Sequence, residues 1–326
     1  MPKAIWGLAG KDLLSFSEMT ADALIGLVEW ARVIKRWQRV GRPYRPLDGR
    51  SVALIFEKPS MRTRLSFDVG VSRLGGHPVY VSGEEIGLGK REEIRDVARV
   101  LSRYVDAVVL RTFGQERLEE LAAFANVPVI NALSDRFHPT QLVADLLTIL
   151  EKKNKLCGVT VAWVGDGNNV LNSWLQAAAL CGMHLRIATP SGFEPDDAVV
   201  TAAAQQAAVQ GGSITLFHDP VEAVREAEIL YTDVWTSMGQ EEEEEKRSVA
   251  FAGFQVDASL VSHAAPDALV MHCLPAHRGQ EISEEVLEGS HSIVFDEAEN
   301  RLYAHEAILD ALMRIPGKEM SKGDAQ

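Results

Sequence analysis

Short apolar runs alternate along the chain with longer stretches in which apolar residues recur every three or four positions. In the first half, SVALIFE (51–57), HPVYV (77–81), DAVVLR (106–111) and VPVINA (127–132) read as strands. Between them, RTRLSFDVGVSRLG (62–75) has helical spacing and stops at Gly75-Gly76, and EIRDVARVLSRYV (93–105) follows the glycine-rich loop SGEEIGLGKRE. After HPTQ (138–141), the periodic stretch LVADLLTILEKKN (142–154) predicts a helix long enough to lead from one domain into the next. The pattern then restarts with VTVAWVGDG (159–167), HLRIATP (184–190), SITLFHD (213–219), ILYTDVW (229–235) and LVMHCLP (269–275).

Strands recurring with intervening helices predict an α/β fold of two doubly wound domains, with mainly parallel central sheets and a ligand cleft between them. The boundary falls near residues 145 to 155, giving domains over 1–150 and 151–300. The periodic YAHEAILDALMRI (303–315) predicts a last helix, and PGKEMSKGDAQ (316–326) a flexible tail. The acidic run QEEEEEKR (240–247) reads as a loop or a solvated helix with a wet surface.

Composition narrows the classes of function. The 326 residues are 46% hydrophobic and 24% charged, with a formal net charge of -13, as in an ordinary globular protein. Such an acidic surface, without a basic stripe, argues against nucleic acid and anionic lipid as partners. Three scattered cysteines without CxxC spacing fit a reducing compartment, and neither a membrane-length apolar run nor a secretory signal is evident, so the expected location is cytoplasmic.

In open α/β sheets ligands bind beyond the carboxyl ends of strands, so polar residues placed there carry the chemistry. EKPSMRTRLSFDVG (57–70) is the first such place. If a helix begins near Ser60, its unpaired N–H groups, the Ser60 and Thr63 hydroxyls and the Arg62 guanidinium converge as a phosphate cradle. Arg64 can instead face inward and brace the loop. The competing reading, a capping serine beside surface arginines, does not explain why cations crowd a helix end that disfavours them. Arg111, ending an apolar strand, could pair with Asp106 or Glu116, or reach the same anion. His138 could donate to a carbonyl oxygen, with Gln141 holding a substrate amide.

In the second half, Gly165-x-Gly167 suggests a dinucleotide loop, but Val170 stands at the third glycine position and no acidic residue ends the next strand. Asn168 and Asn169, beside a helix start, suit a carboxylate instead. Asp233 can hold an ammonium group or cap a turn, and Ser237 can hold a carboxylate. His272, Cys273 and His277 raise metal binding, yet no fourth ligand accompanies them, so no metal is expected. Cys273 fits better as a thiolate and carbonyl edge that orients an amine, and Arg301, after an apolar SIVF strand, could add a donor.

Taken together, SMRTR (60–64), HPTQ (138–141), GDGNN (165–169), DVWTSMG (233–239), HCLPAHRG (272–279) and ENR (299–301) resemble the aspartate/ornithine carbamoyltransferase family, over about residues 10 to 315. The phosphate loop and HPTQ are shared by both branches, whereas Asp233 with SMG and HCLP point to the ornithine branch. The resemblance implies a carbamoyl phosphate domain over 1–150, an ornithine domain over 151–300, and a terminal helix over about 302–315 packing back on the first. It also implies a homotrimer or a higher assembly of trimers, and no cofactor. Ser60, Met61, Arg62 and Thr63 would bind phosphate, and Arg111, His138 and Gln141 would hold the carbamoyl group and phosphate. Asn169, Asp233, Ser237 and Met238 would bind the amino-acid end of ornithine. Cys273 and Leu274 would guide its side-chain amine and, with Arg301, contact carbamoyl phosphate. Arg62, Thr63, Arg111, His138 and Cys273 would take part in catalysis.

Two positions depart from the family pattern. Met61 replaces a usual threonine but keeps its backbone N–H, with the side chain expected to point away. Gly87 stands where a glutamine often reaches a neighbouring subunit, and Lys90 or Arg91 could substitute for it. The implied reaction carries the carbamoyl group of carbamoyl phosphate to the δ-amine of L-ornithine, giving L-citrulline and phosphate by direct amine attack without a covalent intermediate. The alternatives are the same fold acting on putrescine, N-acylated ornithine or aspartate, or an NAD-dependent dehydrogenase.

Overall fold

The four apolar runs of the first half form parallel strands: β1 (Ser51–Phe56), β2 (His77–Ser82), β3 (Ala107–Arg111) and β4 (Val129–Leu133), in the order β2-β1-β3-β4. Val52, Ala53, Leu54 and Ile55 are consecutive and all buried, so both faces of this sheet are covered. That explains a continuous apolar run where a one-sided sheet would alternate. On one face Ala53, Ile55, Val108 and Leu110 cluster with Ile94, Val97 and Ala98 of the helix Ile94–Tyr104 and with Leu118 and Leu121 of the helix Gln115–Phe124. Each large apolar side chain so buried contributes about 1.5–3 kcal/mol.

The second set of runs forms β5 (Thr160–Val164), β6 (His184–Ala188), β7 (Ser213–Phe217), β8 (Ile229–Thr232) and β9 (Leu269–His272), again all parallel, in the order β7-β6-β5-β8-β9. Trp163 of β5 stacks on Tyr231 of β8 at 5.3 Å between centroids, and Trp174 meets the same Tyr231 edge-on at 5.3 Å. Ala162, Val164, Leu230 and Val270 pack into a separate cluster with Phe251 and Val256. In both sheets the strand order reverses next to the first strand of its half, which is where an open α/β sheet leaves room for ligands at its carboxyl edge.

The computed structural model describes residues 1–237 and 241–314, which divide into two units. The first comprises Met1–Leu14, Asp22–Ser134 and the chain from Leu302 on; the second comprises Ser15–Ala21 and Asp135–Arg301. The tail expected over 316–326 lies outside the described residues. No helix among the described residues is long and apolar enough to cross a membrane.

Two expectations need correction. SIVF is not a strand: Ser292 makes one bridge to Val270, and from Val294 the chain is a helix that runs to Leu312. Asp296 and Glu297 in the first turn suit a helix N-terminus electrostatically, and Arg301 therefore sits within a helix. From Leu302 on, this helix packs in the first unit. There His305 stacks on Phe67 at 3.8 Å, and Asp310 Oδ2 accepts from Trp30 Nε1 at 2.7 Å and from the Tyr44 hydroxyl at 2.6 Å.

The acidic run is the other case. Its helix, Glu244–Ala250, exposes Glu244 and Glu245 but turns Arg247 inward to a buried ion pair with Asp166 at 3.0 Å. A run read as uniformly wet thus carries one buried cation.

Candidate active site

In the first unit, Ser60 has extended backbone angles (φ -162°, ψ 105°) and caps the helix Met61–Arg73. Its Oγ accepts from the Thr63 N–H at 3.3 Å and lies 2.9 Å from the Thr63 hydroxyl. No acidic residue stands in the first turn, so the positive end of the helix is left for an external anion. Thr63 is buried, Arg62 is half-buried, and Arg62 Nε is buried without a hydrogen-bond partner among the described residues. A buried guanidinium nitrogen without a partner is costly unless a ligand supplies one. Met61 is 68% exposed, so its side chain stays clear of this end. Arg64 does not face inward: it is exposed and lies over the Tyr80 ring, 3.6 Å from the centroid.

Arg111 ends β3, is buried, and stands in register with Phe56, just ahead of the turn that leads to Ser60. The β3–β4 register shifts between Leu110 and Arg111, the kind of irregularity that re-aims a side chain at a strand end. Asp106 is not its partner. It precedes the opposite end of β3, accepts from the Ser51 N–H at 2.9 Å and lies 3.8 Å from Arg50. Glu116 is exposed, whereas Arg111 is buried. Behind the loop, Glu57 accepts from Arg117 Nη2 at 2.7 Å and from the Thr112 hydroxyl, bracing the residues before Ser60. Gly87 has φ +56°, and a Cβ there would come within 2.8 Å of the Arg91 Cβ, so this loop conformation favours glycine.

In the second unit, His138 precedes the helix Pro139–Lys153, whose proline occupies the first position, where no N–H is needed. The His138 N–H donates to Ser173 Oγ at 2.7 Å, and its Nδ1 lies 3.4 Å from the Thr140 hydroxyl. Gln141, one turn along, is fully buried.

Asp233 follows β8 and is buried. It accepts from Asn168 Nδ2 at 2.8 Å, from the Val234 N–H at 2.8 Å and from Cys273 Sγ at 3.1 Å. Three donors leave room for a fourth on a carboxylate, so Asp233 braces the turn and can still take an ammonium hydrogen. Asn168 also caps the helix Asn169–Cys181 by accepting from the Val170 and Leu171 N–H groups at 2.9 and 3.1 Å. Asn168 rather than Asn169 therefore contacts the acid; Asn169 opens the helix, and its carbonyl accepts from Ser173 Oγ at 3.1 Å. Ser237 is half-buried, and Met238 lies outside the described residues.

The reading of Cys273 as a thiolate is corrected. Desolvation, with the Asp233 carboxylate beside it, pushes the thiol well above its ordinary range, and the S–H donates to Asp233. Leu274 holds φ +56°, an unusual backbone for a bulky residue, and its N–H donates to His272 Nδ1 at 2.9 Å. His272 Nε2 meets Glu281 Oε1 at 3.1 Å. Although ligand atoms of Asp233, His272 and Cys273 fall within 4.8 Å of one another, both His272 nitrogens are thereby engaged, which does not suit a metal. His277 is exposed. Arg301 is buried and lies near enough to Asp145 to favour that group's charged form.

Sequence reasoning missed the support behind Asp233. Arg247 Nη1 donates to the Trp235 carbonyl at 2.8 Å while pairing with Asp166, which follows β5. Burial raises the Asp166 carboxyl to about 6, with Arg247 opposing the rise. The glycine pair has a packing explanation: Gly165 has φ +144°, and a Cβ on Gly167 would stand 2.4 Å from the Glu194 backbone. These are demands of a tight loop and need no dinucleotide.

The motifs thus gather at strand ends within two parallel-sheet units, one offering an anion site and the other a carboxylate with amide and thiol donors. Comparison with known proteins agrees. Residues 11–151 match the carbamoyl-P binding domain and residues 157–312 the Asp/Orn binding domain of aspartate/ornithine carbamoyltransferases. The chain belongs to the aspartate/ornithine carbamoyltransferase family. It is 50% identical over 306 residues to the anabolic ornithine carbamoyltransferase of Pyrococcus furiosus, covering 94% of this chain and 97% of that protein. It is 51% identical over 304 residues to the ornithine carbamoyltransferase of Geobacter metallireducens, covering 93% and 99%. Among solved structures, the Pyrococcus furiosus enzyme superposes with a TM-score of 0.92 at 50% identity, covering 96% of this chain and 99% of that one. The Thermus thermophilus enzyme gives 0.84 at 46% identity, covering 93% and 99%.

Proposed function

We propose that the chain transfers the carbamoyl group of carbamoyl phosphate to the δ-amine of L-ornithine, giving L-citrulline and phosphate. The observation that carries this reading is the Ser60-capped helix end with the partnerless Arg62 Nε, in the part of the chain that matches a carbamoyl phosphate domain. Ser60, Met61, Arg62 and Thr63 take the phosphate through backbone N–H groups, hydroxyls and guanidinium. Arg111, His138 and Gln141 hold the carbamoyl group, with Arg301 adding a donor. Asn169, Ser237 and Met238 receive the α-carboxylate end of ornithine, while Asp233 takes an ammonium hydrogen. Cys273 and Leu274 guide the side-chain amine through the thiol and their carbonyls.

Charge grows on the departing phosphate as the amine attacks, so fixed donors aimed at it lower the barrier without reorganising. The attacking δ-amine must be uncharged, and an alkyl amine has a pKa near about 10. The thiol form of Cys273 adds no negative charge that would hold the amine protonated. No nucleophile on the protein is required, because phosphate is itself the leaving group and can accept the released proton.

We further place the protein in the cytoplasm as a homotrimer or a larger assembly of trimers. Free cysteines support the first, and exposed Leu65, Val69, Val79 and Tyr80 in the first unit support a subunit contact there. Steady-state carbamoyl transfer from carbamoyl phosphate to ornithine, putrescine, N-acetylornithine and aspartate across pH 6 to 9 tests the reaction. Ornithine is expected to be preferred, with kcat/KM rising toward high pH. A preference for another acceptor, or no citrulline, would refute it.

A further inference from the structure

The amide of Gln141 is used on one side only. Its Nε2 donates to Asp145 Oδ1 at 2.8 Å and to Glu297 Oε1 at 3.1 Å, so both hydrogens are engaged. Its Oε1 is buried and has no hydrogen-bond partner among the described residues. Glu297 is the busier of the two acids: Oε1 also accepts from the Tyr231 hydroxyl at 3.1 Å, and Oε2 accepts from the His272 N–H at 2.9 Å. Asp145 and Glu297 thus meet at one amide nitrogen, two buried acids side by side. Burial opposes charge on either acid, raising Asp145 to about 7 and Glu297 well above the carboxylate range.

We propose that Asp145 and Glu297 are positioning residues that lock the Gln141 amide with Nε2 toward themselves and present Oε1 as the acceptor for the NH2 of the carbamoyl group. The inference rests on the reading of Gln141 given above. A flipped amide would set Oε1 against the two oxygens that now accept from Nε2, so the orientation with Nε2 toward the acids is favoured. A buried carbonyl oxygen without a donor is costly, and an NH2 relieves that cost where a methyl group does not. The pair thereby selects a carbamoyl over an acetyl group. Through Oε2, Glu297 also fixes the first N–H of the His272–Leu274 turn, linking the two ligand-facing segments of this unit.

The test compares calorimetric dissociation constants for phosphonoacetamide and 2-oxopropylphosphonate, which differ in NH2 against CH3. The full-length parent protein and its Gln141→Met, Glu297→Gln and Asp145→Asn variants are measured. The parent is expected to prefer the amide about tenfold or more, and Gln141→Met to lose the preference. Glu297→Gln should lose it too, because both Glu297 oxygens accept and an amide there must turn its NH2 against Gln141 or the His272 N–H. Asp145→Asn should keep the preference within about threefold, since its Oδ1 can still accept from Nε2 and its other oxygen has no partner to lose among the described residues. If Gln141→Met keeps the preference, or the parent shows none, the reading of Gln141 fails. If Gln141→Met loses it while Glu297→Gln keeps it, or Asp145→Asn loses it, the positioning role alone is overturned. Should Glu297→Gln not fold, a neutron structure of the parent decides. The two Nε2 deuterons facing Asp145 and Glu297 support the inference; Oε1 facing them overturns it.

Discussion

The two ends of the proposed reaction are built differently. The phosphate end in the first unit is assembled from a helix terminus, two hydroxyls and arginines, with Met61 and Arg64 exposed around it. At the amino-acid end in the second unit, polar groups are satisfied from within the unit: Arg247 pairs with Asp166, Asn168 and Cys273 donate to Asp233, and the His272 N–H donates to Glu297. An anion can be met by peptide N–H groups that every helix start provides. An ammonium must be met by a carboxylate, and a buried carboxylate needs its own donors, which must come from elsewhere in the unit. Function and stability should therefore separate in the first unit and be coupled in the second.

The largest expected effect is on that coupling. Arg247→Met leaves Asp166 buried without its cation and should cost about 3–5 kcal/mol of stability by denaturant unfolding at pH 8. Asp166 titrates near 6 in the folded protein, above its unfolded value, so its favourable contribution is complete below that unfolded value and lost as pH rises through about 6. The variant should therefore be less impaired at pH 5, where Asp166 is largely protonated. A cost independent of pH would place the role of Arg247 elsewhere, such as its bond to the Trp235 carbonyl.

Next is Arg62→Ala, expected to lose about 3 kcal/mol or more of transition-state stabilisation in kcat/KM. Its melting temperature should stay near the parent's, since Arg62 Nε has no partner to lose among the described residues. A variant with lowered stability and normal turnover would reverse the contrast between the units. Asp233→Asn should weaken ornithine by about 2 kcal/mol, read as a raised KM for ornithine. The KM for carbamoyl phosphate should change less, and equal changes in both would argue that Asp233 only braces its turn. Smallest is Ser60→Ala, which removes the cap and should cost about 1 kcal/mol of stability with an added loss in phosphate affinity.

Most of the fold was legible because inner parallel strands buried on both faces leave continuous apolar runs, and all nine runs read as strands became strands, the partly exposed edge strands β2 and β7 included. SIVF misled because three consecutive apolar residues fit a strand or the start of a helix equally, and only the following Asp296 and Glu297 favour the helix. Within the candidate site, the local motifs around Ser60 and His138 could be read because cap and ligand donor lie a few residues apart. The Arg247–Asp166 pair could not, since 81 residues separate partners that only the folded sheet brings together. Cys273 was misassigned as a thiolate for a related reason: its environment is set by Asp233, 40 residues away.

The phosphate claim is tested most directly by a crystal structure with a bisubstrate mimic in which a phosphonoacetyl group is joined to the δ-amine of ornithine. The account predicts the phosphonate against the N–H groups of residues 61–63, the Ser60 and Thr63 hydroxyls and the Arg62 guanidinium. A phosphonate bound away from this helix end, with Arg62 Nε still partnerless, would contradict it.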